Sequence, residues 1–111
     1  MITKAPILLL LGWVFCAVQA QPTITGDVVT FKYMDKSAAS VSVAGDFNGW
    51  SKDEGLMLHD GSARWSFSKK LSPGIYQYKF LVDGQWLPDL LARENVYNEH
   101  GTLNSVVEVR A

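Results

Sequence analysis

Cysteine is almost missing from this sequence: Cys16 is the single one among 111 residues. A disulfide framework within the chain is therefore excluded, and so is a site built from several thiolates. Histidine is nearly as scarce. His59 and His100 are the only two, 41 positions apart, without the close spacing or carboxylate partner of a metal motif, so no metal or cofactor is expected. An excess of positive charge is lacking too: ten Lys and Arg stand against eleven Asp and Glu, a formal net charge of −1. Such a chain does not neutralise phosphates well, which argues against nucleic acid as a partner. A long apolar run is also absent. Residues 5–18 (APILLLLGWVFCAV) form the most apolar stretch, shorter than the roughly 20 residues that span a bilayer as a helix. Lys4 precedes it, and Val18-Gln19-Ala20 ends it with residues that a signal peptidase accepts. The expectation is a cleaved signal peptide at 1–20 and one exported domain at 21–111, periplasmic or extracellular, with no stable membrane anchor once the signal is gone. Cys16 leaves with that peptide, so the mature domain carries no thiol and its stability rests on its core.

What is present after residue 20 is a series of short strands. Residues 28–33 (VVTFKY), 41–43 (VSV), 64–69 (RWSFSK), 75–82 (IYQYKFLV) and 106–109 (VVEV) are rich in β-branched and aromatic types. Turn formers separate them: Asp46 to Gly49, Asp60-Gly61, Ser72-Pro73-Gly74, Asp83-Gly84 and His100-Gly101. No convincing helical period interrupts this spacing, which predicts an all-β antiparallel sandwich. Residues 87–100 are the least regular part and read as a long loop or a helical turn, of a length that tends to be functional.

One turn defines a face. Side chains of a strand alternate, so Tyr76, Tyr78, Phe80 and Val82 share an apolar side that belongs to the core, leaving Gln77, Lys79 and Leu81 outside. Asp83-Gly84 is a two-residue hairpin turn by composition. It pairs Val82 with Gln85 and Leu81 with Trp86, and paired residues lie on one face. Trp86 is thus expected beside Leu81 on the outer side, with Lys79 diagonally near. An exposed indole next to a lysine is suited to a sugar ring. The flat indole covers the axial C–H faces of a glucopyranose, and polar side chains in the ring plane meet its hydroxyls. Alternation alone leaves a second reading open, in which Trp86 packs under the segment 87–100.

Four motifs in order carry a resemblance: Gly45-Asp46-Phe47-Asn48-Gly49-Trp50, residues 71–80 (LSPGIYQYKF), residues 82–86 (VDGQW) and residues 101–107 (GTLNSVV). Together they resemble carbohydrate-binding module family 48. That family comprises the glycogen-binding domain of the AMP-activated protein kinase beta subunit and the early-set domain beside the catalytic barrels of isoamylases and branching enzymes. The resemblance covers about residues 41–109. It implies an immunoglobulin-like (early-set) β-sandwich and non-catalytic binding of α-glucan oligo- or polysaccharides such as glycogen, starch and maltooligosaccharides. It further implies that Trp50 and Trp86 stack on glucose, that Lys79 donates to hydroxyls, and that Thr102 and Asn104 supply polar contacts. His100 occupies the place where the kinase domains carry a leucine that enters the ring of the glucan, which bears on affinity and on the glucan shape preferred. Leu90 stands where many members have proline.

Other conspicuous residues have plainer readings. Trp65 shares a strand side with Phe67 and belongs to the core. Asp46, at the head of a turn, is expected to bond its own backbone. Asp53 and Glu54 are solvated, and Lys69-Lys70 read as a strand edge protected by charge. A glycosidase needs two carboxylates set across a cleft, and no such pair is evident, so no enzyme activity is expected. The alternative to free glucan binding is an accessory subunit that contacts a separate carbohydrate-active enzyme.

Overall fold

The computed structural model describes residues 20–111; the expected signal peptide lies outside the described residues. Nine strands follow in chain order: β1 Thr23–Thr25, β2 Val28–Met34, β3 Val41–Gly45, β4 Leu58–His59, β5 Arg64–Lys70, β6 Gly74–Val82, β7 Gln85–Leu87, β8 Glu94–Tyr97 and β9 Leu103–Val109. They form two antiparallel sheets, β1-β2-β5-β4 and β3-β6-β9-β8, with β7 added beside β6. This is the expected all-β sandwich of immunoglobulin-like, early-set type.

The alternation read from the sequence builds the core. Val29 and Phe31 from β2, and Trp65 from β5, meet Val41 and Val43 from β3, Tyr78, Phe80 and Val82 from β6, and Val107 and Val109 from β9. Aromatic rings join the two sheets: Phe31 meets Tyr78 edge-on at 4.9 Å, and Tyr33 lies 5.1 Å from Phe80. Trp65 is buried as expected and donates its indole N–H to the Asp35 carbonyl at 2.9 Å. A buried tryptophan satisfied in this way is a structural anchor.

Strand β6 organises the sheet that matters for function. One of its edges pairs with β3 over residues 78–82. Its other edge pairs with β9 over residues 74–78 and then with β7 over residues 80–82. The Asp83-Gly84 turn has φ of 49° and 85°, the positive values that a tight hairpin demands. It sets Leu81 opposite Trp86, as the sequence predicts. Asp83 fixes the corner by accepting the backbone N–H groups of Ala39 and Ser40, each at 2.9 Å.

The segment between β3 and β4 folds back over β3. Met57 donates its backbone N–H to Val41 at 2.9 Å, and Ser42 bridges Leu56, so this edge is not free to pair with another chain. Asn48 ties the fold-back down, accepting from the Gly45 N–H at 3.0 Å and donating to the Val43 carbonyl at 3.0 Å. Contact is so close at Gly55 that a Cβ there would fall on the Val43 carbonyl oxygen.

Two expectations need correction. Residues 87–100 are neither a plain loop nor a helical turn, because β8 forms within them and pairs with β9 from Glu94↔Val106 to Tyr97↔Leu103. Strand β9 likewise starts at Leu103 rather than Val106. Both were hidden by polar residues. Asp89, buried at 4% exposure, receives the Tyr78 hydroxyl at 2.7 Å and the Leu91 N–H at 3.0 Å, while its own N–H reaches Ser105 Oγ at 2.6 Å. Ser105 in turn bonds Asn95 at 2.6 Å. A buried polar network, not an apolar pattern, fastens this part of the chain to the sheet.

Candidate carbohydrate-binding site

The outer face of the β3-β6-β9-β8 sheet carries an open groove of about 840 Å³. That is within the size range of pockets that take small organic ligands. The six residues singled out from the sequence, Trp50, Lys79, Trp86, His100, Thr102 and Asn104, all lie around it.

Trp50 and Trp86 form one flank. Their ring centroids are 6.4 Å apart with planes inclined by 58°, so they present an angled surface rather than a flat one. Trp86 stands on β7 with 46% of its surface exposed, which rejects the reading that packs it beneath residues 87–100. Trp50 is half-buried. It follows Gly49, whose φ is 64°, and itself has φ of 60°. A left-handed tryptophan is uncommon and costs energy, of order 1–3 kcal/mol. Two contacts hold it: its backbone N–H reaches the Gly45 carbonyl at 2.9 Å, and its indole N–H reaches Asp46 Oδ1 at 3.1 Å.

Asp46 therefore does something the sequence did not announce. Rather than bonding the backbone of its own turn, it accepts the indole N–H of Trp50 on one oxygen and the backbone N–H of Gln77, at 2.7 Å, on the other. The carboxylate joins the Trp50 turn to β6 and fixes the indole's tilt. Asp46→Ala is expected to weaken glucan binding about three- to tenfold with little loss of melting temperature, and Asp46→Asn to weaken it less, as calorimetric titration and thermal melts would show.

The floor is a hydrogen-bonded chain of side chains. Lys79 projects from β6 on the outer side, as expected, but only 8% of it is exposed. It lies down in the groove and donates to Thr102 Oγ1 at 2.8 Å. An ammonium carries three donors, and among the described residues this is its single hydrogen bond. Asn98 links the floor together: its amide group donates to Thr102 Oγ1 at 2.7 Å and to Asn104 Oδ1 at 3.0 Å. Asn104 then donates to Gln77 Oε1 at 2.9 Å. Thr102 Oγ1 accepts twice and keeps its own proton to give. Asn104 and Gln77 each retain unused donor or acceptor capacity. This is a surface matched to vicinal hydroxyls, with neither an unpaired buried carboxylate nor a patch of one charge.

The far flank is the turn between β8 and β9. Asn98 Oδ1 receives the N–H groups of His100 at 2.9 Å and Thr102 at 3.1 Å, and the Asn98 and Thr102 backbones pair at 2.8 Å. His100 stands exposed at this rim, its Nε2 3.6 Å from Glu99 Oε2. Sequence reasoning missed Asp46, Gln77 and Asn98. Gln77 alone had left a signal, its outward parity beside Lys79. Among the described residues no group of three His, Cys, Asp or Glu side chains is placed to hold a metal ion.

A family model described as the glycogen recognition site of AMP-activated protein kinase matches residues 28–111. The chain belongs to this glycogen-recognition family. Among curated relatives, the beta-1 subunit of 5'-AMP-activated protein kinase from Homo sapiens is 34% identical over 92 residues, which is 83% of this chain and 30% of the subunit. Protein PTST homolog 2, chloroplastic, from Arabidopsis thaliana is 44% identical over 55 residues, half of this chain and 10% of that protein. Phosphoglucan phosphatase DSP4, amyloplastic, from Castanea sativa is 27% identical over 82 residues, 74% of this chain and 22% of that protein. The chain thus spans from a tenth to just under a third of the length of these relatives.

Proposed function

We propose that this protein is an exported, non-catalytic binder of α-glucans, whose groove takes a run of glucose units from glycogen, starch or maltooligosaccharides. The observation that carries this reading is the meeting, in one groove, of two tryptophans with a nearly buried lysine that has donors to spare. Trp50 and Trp86 cover the C–H faces of successive sugar rings, their mutual tilt following the twist of an α-linked chain. Lys79, Thr102, Asn104 and Gln77 receive the hydroxyls in the ring plane. His100 replaces an apolar plug with a polar ring, so hydrogen bonding at the rim takes the place of threading through the glucan. The signal-like residues 1–20 support export to the periplasm or beyond. Amylose or glycogen resin is expected to retain the mature domain, and free maltoheptaose to release it. Passage through both resins without delay would contradict the proposal.

A second reading has an observation of its own. Met34, Leu90 and Leu91 are 62%, 81% and 47% exposed around a mainly apolar cleft of about 440 Å³ that shares no residue with the glucan groove. Such a surface fits an accessory subunit that docks on a separate carbohydrate-active enzyme while its groove stays open for glucan. Co-purification of a stoichiometric partner, lost on Leu90→Ser, would support it.

A further inference from the structure

The direction of the side-chain hydrogen bonds in the groove floor follows from donors that have no choice. Two backbone N–H groups, those of His100 at 2.9 Å and Thr102 at 3.1 Å, meet the same atom of the Asn98 amide, which must therefore be its oxygen. Its nitrogen is left to face Thr102 Oγ1 at 2.7 Å and Asn104 at 3.0 Å, so Asn104 presents its oxygen there. Asn104 then offers its nitrogen to Gln77 at 2.9 Å, and Gln77 answers with oxygen. An ammonium also only donates. Thr102 Oγ1 thus accepts from Lys79 as well as from Asn98, and both its lone pairs are filled.

What remains free on the floor is almost entirely protons. Among the described residues Lys79 keeps two, Thr102 one, Asn104 one and Gln77 two, against a single lone pair on each of the Asn104 and Gln77 oxygens. Of the carboxylates that line the groove, Asp46 already accepts on each oxygen, and Glu99 stands at the exposed rim beside His100. Asn98 sets this polarity. Its oxygen alone would close the turn between β8 and β9, and aspartate at this position would close it as well. Only an amide has a second end that donates, and that end makes Thr102 and Asn104 accept.

We propose that Asn98 is a positioning residue that turns the floor into a one-way array of donors, so that the glucose unit above it is held through the lone pairs of its oxygens. The inference rests on the α-glucan reading of the groove. Asn98 acts through Thr102, Asn104 and Gln77, whose protons it aims at the ligand. A sugar hydroxyl can donate or accept, and this floor selects the accepting role.

The test is a double-mutant cycle on the mature domain, read by calorimetric titration with maltoheptaose. Asn98→Asp keeps the size and the acceptor for the two backbone N–H groups, so the turn and the melting temperature should hold. Its second oxygen takes the Thr102 proton and draws the Lys79 ammonium, and affinity is expected to fall about tenfold. In the parent, Thr102→Val is expected to cost about three- to tenfold and Thr102→Ser almost nothing. In the Asn98→Asp background Thr102→Val should cost about twofold or less, because the proton it removes no longer reaches the sugar. Unchanged affinity in either Asn98→Asp or Thr102→Val alone would overturn the proposal. So would equal Thr102→Val losses in the two backgrounds, the mark of a residue that merely shapes the turn. Failure of the parent domain to bind maltoheptaose would overturn the α-glucan reading, and this proposal with it.

Discussion

Trp86→Ala is expected to weaken maltoheptaose binding by tenfold or more while leaving the domain folded. Trp86 lies on a three-residue strand, is nearly half exposed, and contributes nothing to the core cluster. Its removal therefore takes away ligand contact and not packing. Truncating a tryptophan that anchors a ligand contact costs about 1–3 kcal/mol, or roughly 5- to 150-fold in affinity. Loss at Trp86 also removes the neighbour of Trp50, 6.4 Å away, so the effect should fall in the upper part of that range. Trp65→Ala makes the contrast. That indole is 6% exposed and bonded to the Asp35 carbonyl, and its loss should cost about 3–5 kcal/mol of stability. Thermal melts and titrations on the two variants would show opposite signatures.

Asp89→Ala is expected to give the largest loss of stability outside the apolar core, about 2–4 kcal/mol, or a fall in melting temperature of roughly 10–20 °C. The carboxylate is buried and receives both the Tyr78 hydroxyl and the Leu91 N–H. Without it, two donors lose their partner and the segment that leads into β8 is released from the sheet. The same group gives the stability a pH signature. Burial raises the Asp89 pKa above its ordinary value, and the bonds from Tyr78 and Leu91 oppose that rise without cancelling it. The folded protein thus holds this proton more tightly than the unfolded chain does. Above the folded pKa the ionised group carries its full desolvation cost. As pH falls through that value toward the ordinary carboxylate range the cost is relieved, so the contribution of Asp89 to stability grows on acidification. The gap in stability between the parent and Asp89→Ala should therefore widen as pH is lowered from neutral. Urea melts at several pH values would check this, and a gap that narrows would contradict it.

Local chemistry made some features of this molecule legible and left others hidden. Asp83-Gly84 could be read as a hairpin because few residue pairs accept two positive φ angles, and once that turn is fixed the placement of Trp86 beside Leu81 follows. The apolar side of β6 was readable for the same reason, since alternation is a property of the strand itself. Asp46 was not. Its partners are the Trp50 indole and a backbone N–H 31 residues away, a contact that exists only after β3 and β6 have paired. Strand β8 was missed because what holds it is Asp89, Asn95 and Ser105, polar residues whose mutual satisfaction no hydrophobic period reveals. Lys79 was placed on the correct face, yet its near burial depends on the groove around it. Adjacency along one strand was visible in the sequence; convergence of distant strands was not.

The central claim concerns two particular indoles. In a nitrogen-15 NMR titration with maltoheptaose, the indole N–H signals of Trp50 and Trp86 should shift together and saturate at one concentration, while that of Trp65, enclosed between the sheets, stays in place. Movement of Trp65 alone, or no movement of either groove indole at saturating sugar, would show that glucans do not bind on this face.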